Sequence, residues 1–197
     1  MLQIEPQSVT KIAELLRNNQ VVALPTETVF GLAVSLDSLP ALSKLIEIKN
    51  RQVNSGKVFT LVPTSPQDIS SFVDIPSLAM PLIQRYFPGP LTLILPKKPG
   101  YTHPYFDNFT KIGVRIPDFP LFRRLLPLSG PLLLTSANPR GEEPCLNPEE
   151  VILRLPDVDA VVMSPAANTP PSTILDFTAD QVKTIRQGLL KIDWAIL

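Results

Sequence analysis

The spacing of apolar residues along this chain switches repeatedly between the helical and the extended period, and each switch marks an element. From Pro6 to Asn18, Val9, Ile12, Ala13, Leu15 and Leu16 recur at helical spacing, with Ser8 placed to cap. Gln20 to Leu24 is a short β-rich run closed by Pro25, and Val29 to Ser35 a second extended stretch in which Gly31 marks a close approach or bend. Leu39 to Ile48 returns to the helical period. Phe59 to Val62 and Leu91 to Leu95 read as strands, separated by a helix over Pro76 to Tyr86 with proline in its first turn and by the hard turn Phe87-Pro88-Gly89-Pro90. Ile112, Val114 and Ile116 alternate with Lys111, Gly113 and Arg115, which is the period of a strand. Phe119 to Leu126 predicts a short helix. Leu132-Leu133-Leu134 is apolar on both faces and predicts a central strand. Asn147-Pro148-Glu149-Glu150 opens a helix that runs to about Arg154; Val158 to Met163, Thr173 to Phe177 and Val182 to Arg186 read as further strands.

Helices and strands mix throughout, without internal repeats or low-complexity linkers, so the pattern predicts an α/β fold around a twisted, open, mixed sheet flanked by helices. A length of 197 residues, 44% of them hydrophobic, supports one substantial core and favours a single domain over residues 1–197. The 23 prolines fall mainly at segment edges, which stiffens the connections. Lys plus Arg equals Asp plus Glu at 18 each, so any nucleic-acid surface must be local rather than global. One cysteine, Cys145, excludes an internal disulfide and fits a reducing compartment. No apolar run approaches the roughly 20 residues of a membrane helix, and the N-terminus lacks a basic-then-apolar leader. A cytoplasmic location is expected.

Four polar clusters stand at the ends of apolar runs: Pro25-Thr26-Glu27-Thr28, Lys49-Asn50-Arg51, Thr135-Ser136-Ala137-Asn138 and Pro171-Ser172-Thr173. Element ends are where open α/β sheets hold ligands, and hydroxyls, an amide and two cations there suit a polar, anionic one. Lys49 continues the inward stripe of Leu42, Leu45 and Ile46, so its ammonium needs a partner or a ligand. If the helix ends near Lys49, Arg51 points the same way in extended chain, and two convergent cations can cradle phosphate or bicarbonate. A solvated helix-end charge is the alternative for Lys49. Thr135, Ser136 and Asn138 follow the central strand, where a parallel strand ends in the ligand crevice; they can bind phosphate oxygens or a base edge, or form a cap or turn before Pro139. Thr26 and Thr28 can hydrogen-bond a small polar substrate, with Glu27 supporting the site or capping a turn. Arg115 lies off the apolar face and points to water or into a cleft. Ser172 and Arg186 are open between local pairing and ligand contact. Gly56-Lys57 lacks the upstream glycine and the following Ser or Thr of a phosphate loop, and no zinc spacing or nucleophile elbow occurs. His103, the only histidine, reads as an exposed loop residue, and Cys145 as a small buried one.

Taken in order, Pro25-Thr26-Glu27-Thr28-Val29-Phe30-Gly31-Leu32, Lys49-x-Arg51, Pro88-Gly89-Pro90-Leu91-Thr92, Val114-Arg115-Ile116-Pro117, Thr135-Ser136-Ala137-Asn138, Pro171-Ser172-Thr173 and Ile185-Arg186-x-Gly188 resemble the motifs of the YrdC family, which includes the threonylcarbamoyl-AMP synthases of tRNA modification. The resemblance runs from about residue 8 to residue 190. It implies a YrdC-like sheet with a basic concave cavity. It implies the joining of L-threonine, bicarbonate or CO2, and ATP, with Mg²⁺, to give threonylcarbamoyl-adenylate and pyrophosphate for the t6A37 modification of tRNA. By the same likeness Lys49 and Arg51 hold phosphate and bicarbonate and carry the catalysis. Thr135, Ser136, Asn138 and Arg186 contact the nucleotide, and Thr26, Arg115 and Ser172 orient threonine. Other tRNA-modification proteins are the implied partners, and no membrane is.

Three positions depart from the family pattern: Gln52 stands where proline is usual, Phe119 where histidine is common, and Arg140 in place of the serine of Ser-Ala-Asn-x-Ser-Gly. These departures motivate a competing reading, a divergent paralogue that binds tRNA or double-stranded RNA without synthase activity. Lys97, Lys98, Lys111, Arg115, Arg123, Arg124 and Arg140 supply its cations if they converge.

Overall fold

The computed structural model describes residues 1–49 and 59–196. Arg51 and Gln52 lie outside the described residues. The elements follow the hydrophobic pattern closely. The strands are β1 (Leu2–Ile4), β2 (Val22–Leu24), β3 (Gly31–Ser35), β4 (Thr60–Val62), β5 (Leu91–Pro96), β6 (Lys111–Val114), β7 (Leu132–Ser136), β8 (Ala160–Val162), β9 (Thr173–Asp176) and β10 (Lys183–Arg186). The helices are α1 (Val9–Arg17), α2 (Leu39–Ile48), α3 (Met80–Tyr86), α4 (Pro120–Ser129) and α5 (Pro148–Arg154).

Local chemistry sets the helix limits. The Ser38 hydroxyl accepts the Ala41 N–H at 3.1 Å and starts α2. Asn147 caps α5 by accepting the Glu150 N–H at 2.8 Å, while its own amide donates to Glu150 Oε1 at 2.8 Å. α4 stops at Gly130, whose φ of 74° suits a residue without a Cβ. Ser8 sits at the start of α1 but its side chain makes no capping bond. The single helix expected over Pro76 to Tyr86 is divided into a 3-10 turn, Ser77–Ala79, and α3. Pro81 explains the division: it has no N–H with which to continue the α-helical ladder back toward Ser77. β1 leaves no mark in the hydrophobic pattern. It is only three residues long and its Leu2 side chain is exposed, so it shows neither alternation nor a buried run.

Among the described residues the ten strands form one mixed sheet in the order β1-β8-β2-β3-β7-β4-β6-β5-β9-β10. β7 is central, as expected, and Leu132 and Leu133 are fully buried. It is not parallel to its neighbours, however: β7 runs antiparallel to both β3 and β4. Parallel pairing occurs instead between β1 and β8, β2 and β8, β4 and β6, and β5 and β9. Helix α1 lies against α4, α2 against β3 and α5 against β8. The core they enclose contains Phe30, Phe59, Phe106 and Phe122 among its largest buried side chains. Each such group contributes roughly 1.5–3 kcal/mol through burial. No helix of the described residues is long and apolar enough to cross a membrane.

Candidate functional site

One face of the sheet bears a cavity of about 880 Å³. Along β6, Lys111 and Gly113 line it, followed by Arg115 just past the strand, while the alternating Ile112 and Val114 are fully buried on the other face. Every sequence-derived site residue within the described chain lines this cavity. Lys49, Thr135, Ser136 and Asn138 are at the end where β7 stops; Thr26, Arg115, Ser172 and Arg186 line it as well. Arg51 lies outside the described residues.

Lys49 follows α2 as its C-terminal cap residue and is 3% exposed. Its ammonium donates to the Ser136 carbonyl at 2.9 Å, the Asn138 carbonyl at 2.5 Å and Asn138 Oδ1 at 2.9 Å. The inward-pointing lysine therefore has protein acceptors, which offset its desolvation and strap α2 to the loop after β7. Ser136 Oγ donates to the same Asn138 Oδ1 at 2.6 Å, and Asn138 Nδ2 donates to the Pro139 and Glu142 carbonyls at 3.0 and 2.7 Å. Arg140 and Gly141 are carried on that turn into the cavity wall.

At the Arg115 end, the hydroxyls form a directed chain. The Thr26 hydroxyl donates to the Val29 carbonyl at 2.7 Å and lies 2.9 Å from Thr28 Oγ1. With the Thr26 proton given to Val29, Thr28 is the donor of that pair, and Thr28 in turn accepts from Arg115 Nη2 at 2.9 Å. Arg115 is 7% exposed, so the side chain that sequence placed in water or a cleft is in the cleft. Beyond it, Thr92 Oγ1 and Ser172 Oγ are 2.9 Å apart, and the Arg186 head is turned onto Ser172, donating to its carbonyl at 2.9 Å and its hydroxyl at 3.1 Å. Desolvation first, and then the like charge of Arg115, hold the Arg186 guanidinium below its usual range. Lys111 pairs with Asp176 at 2.8 Å across the intervening β5. Burial pushes the Asp176 carboxyl up, but the bonds from Lys111 and Thr178 outweigh it and leave the group below the ordinary aspartate range.

Thr28, which the sequence offers with Thr26 for a small polar substrate, lines the cavity too. The sequence reading lacks Thr92 as a site residue; it lies on the cavity face of β5, two positions before Ile94, and carries the same hydroxyl signal as Ser172. His103 is not an exposed loop residue: it is half-buried, with Nε2 3.0 Å from the Leu36 carbonyl and Nδ1 accepting the Tyr105 N–H at 3.2 Å. Cys145 is buried as expected, and burial pushes its thiol up. Phe119 packs against the core rather than lining the cavity, whereas Arg140 is in its wall. Of the cations named for RNA, Lys111, Arg115 and Arg140 line the cavity and the other four do not. Lys97 and Lys98 border a separate depression and donate to the Phe106 and Ser70 carbonyls. Arg123 pairs with Asp118, and Arg124 reaches Gln7, both from α4.

The Sua5/YciO/YrdC family profile, described as "Telomere recombination", matches residues 14–188. The chain belongs to this family. Among its relatives, one from Haemophilus influenzae named threonylcarbamoyl-AMP synthase is 38% identical over 186 residues, covering 90% of this chain and 98% of the relative. Another of that name, from Vibrio campbellii, is 32% identical over 184 residues, covering 90% and 97%. Among solved structures, P. abyssi Sua5 complexed with L-threonine superposes with a TM-score of 0.84 at 25% identity, over 95% of this chain and 57% of that one. E. coli YciO shares the fold with a TM-score of 0.86 at 24% identity, over 98% of this chain and 96% of that one.

Proposed function

We propose that this chain is an L-threonylcarbamoyladenylate synthase, a nucleotidyltransferase that supplies threonylcarbamoyl-AMP for t6A37 formation in tRNA. The observation that carries the reading is the convergence, in one cavity, of Lys49 with the Ser136–Asn138 turn and of Arg115 and Arg186 with a row of hydroxyls. A ligand bearing anionic groups at separate points fits such a lining. The relatives' names and the threonine complex of P. abyssi Sua5 support threonine as the amino acid.

In this reading the threonine carboxylate meets Arg115, with Thr26 acting through Thr28 and Ser172 acting beside Thr92. The amine captures CO2 or bicarbonate as a carbamate, whose oxygen attacks the α-phosphorus of ATP as pyrophosphate leaves. No protein nucleophile is needed, so positioning and charge stabilisation carry the rate. Lys49 holds the Ser136–Asn138 turn against the nucleotide, Arg51 adds a second cation, and Arg186 borders the nucleotide. Mg²⁺, bound with ATP, would supply charge neutralisation on the phosphates.

The test is pyrophosphate release by the purified protein. The expected result is release that requires threonine, bicarbonate, ATP and Mg²⁺ together. Absence of release with all four present, alongside salt-sensitive RNA binding, would replace this reading with the RNA-binding one.

A further inference from the structure

Glu27 belongs to the threonine-rich loop between β2 and β3 but has no place in the chemistry above. Its carboxylate Oε1 lies 2.9 Å from Arg115 Nη2, with the two side chains 15% and 9% exposed. Glu27 does not itself line the cavity, whereas Arg115 does. Both carboxylate oxygens and Arg115 Nε are buried without a hydrogen-bond partner, so the pair is held by charge and proximity rather than by aligned bonds. The loop fixes the acid in place: the Glu27 carbonyl accepts the Thr169 hydroxyl at 2.9 Å, and the carbonyls of Thr26 and Thr28 accept the N–H groups of Ala167 and Thr169 at 3.1 and 3.3 Å. Thr28, one residue on, accepts from the same Arg115 nitrogen. The guanidinium is thus set from two sides by adjacent residues of one strapped loop.

We infer that Glu27 is a positioning and specificity-determining residue: it balances and orients Arg115 so that this end of the cavity takes the single carboxylate of an amino acid and rejects phosphate. The inference rests on the synthase reading. Its physical basis is the crowding of cations. A guanidinium in a low-dielectric wall beside Arg186 would, if uncompensated, attract any anion, and a doubly charged phosphate more than a carboxylate. ATP and the released pyrophosphate occupy the same cavity in that reading, so an uncompensated Arg115 would trap them in the amino-acid end. With Glu27 behind it, Arg115 selects by the geometry of its remaining donors rather than by net charge.

The experiment compares wild type with Glu27→Gln, which keeps the shape and removes the charge, and with Glu27→Asp. Pyrophosphate-release kinetics are measured against threonine and ATP, with inorganic phosphate as inhibitor. The expected result for Glu27→Gln is a KM for threonine raised at least tenfold, a KM for ATP within about twofold, and a new phosphate inhibition that is competitive with threonine. Glu27→Asp should restore phosphate resistance. Wild-type values for the threonine KM and the phosphate sensitivity in Glu27→Gln would overturn the inference. A fall in melting temperature with every kinetic constant moving together would do so too, since that is mere structural damage. If wild type itself releases no pyrophosphate, the synthase reading fails separately. Calorimetry with inorganic phosphate then decides the charge-balancing claim: at least tenfold tighter phosphate binding by Glu27→Gln is expected, and equal binding refutes it.

Discussion

Replacing Lys49 by methionine tests whether the cavity depends on the strap between α2 and the turn after β7. Methionine keeps most of the buried stem and removes the ammonium, so packing changes little. What is lost are three donors, to the Ser136 carbonyl at 2.9 Å, the Asn138 carbonyl at 2.5 Å and Asn138 Oδ1 at 2.9 Å. Hydrogen bonds from a charged donor contribute roughly 1.5–3 kcal/mol each. Their sum overstates the effect for two reasons. The lysine's own desolvation cost is relieved, and Ser136 and Asn138, both half-buried, regain water from the cavity. A net loss of about 2–3 kcal/mol is expected.

For a chain of this length each kcal/mol moves the melting temperature by roughly 2–4 °C, so thermal unfolding should fall by about 4–12 °C. Turnover should fall further, by about a hundredfold or ~2.7 kcal/mol in the barrier, because the turn carrying Ser136 and Asn138 and a cation in the cavity wall are both lost. Pyrophosphate release and a melting curve on the same preparation check the two effects. A double-mutant cycle with Asn138→Ala should show coupling of about 1 kcal/mol or more, since both changes break one network. A variant that melts like wild type would show that the three contacts hold nothing in place. Full turnover at a lowered melting temperature would reduce Lys49 to a structural residue.

A Cβ at Gly188 would come within 2.3 Å of the Pro171 carbonyl oxygen and 2.7 Å of Thr173 N. Gly188→Ala should therefore cost about 1–3 kcal/mol and loosen the Arg186 clasp on Ser172, raising the KM for ATP; wild-type melting and KM would refute the close packing. Gly113 is the opposite case. A Cβ there meets only Thr92 Cγ2 at 3.8 Å, so Gly113→Val should fold and melt at or above the wild-type temperature while its side chain enters the cavity and cuts turnover at least tenfold. Retained turnover would place the reaction elsewhere. Because the folded Asp176 carboxyl lies below its unfolded value, its stabilisation is present above about pH 4 and is lost as pH falls through the lower folded value. Lys111→Met should thus separate from wild type in melting experiments near neutrality and converge with it in acid; a gap that persists at the lowest pH would refute the pairing.

What the sequence revealed followed from period and charge placement. The Leu42, Leu45 and Ile46 stripe sent Lys49 inward, and its contacts with Ser136 and Asn138 confirm the direction. The alternation around Val114 placed Arg115 off the buried face of β6. What escaped were contacts between distant segments. Nothing near His103 announces the Leu36 carbonyl that fixes its ring, 67 residues away. The Glu27–Arg115 pair joins the β2–β3 loop to the end of β6, and only the folded sheet brings them together. Whether the seven dispersed cations converge is not legible in sequence, because linear order carries no information about which side of α4 or of the sheet each occupies.

The Ser136–Asn138 turn lines the cavity although the strand-direction premise that pointed to it fails. Parallel strands put their C-terminal ends on one edge, and that rule led from the Leu132–Leu134 run to a ligand site after Ser136. β7 is antiparallel to β3, with Ser136 paired to Gly31. The residues that end β7 therefore lie beside those that begin β3, and the polar loop that precedes β3 meets the polar turn that follows β7. Gly31 permits this closeness, since a Cβ there would meet Leu134 Cδ1 at 2.7 Å. On the other flank β4 is antiparallel to β7 and parallel to β6, so β6 ends toward the start of β7, and Arg115 reaches the cavity on the sheet face, where it meets Thr28. The cavity thus joins a start-to-end pairing, a loop entering β3 beside a turn leaving β7, to a cation that comes from the opposite end of β6 on the same face. Polar residues before a strand are as informative here as those after one, which is why Thr28 lines the same cavity as Asn138, with Glu27 set behind it against Arg115.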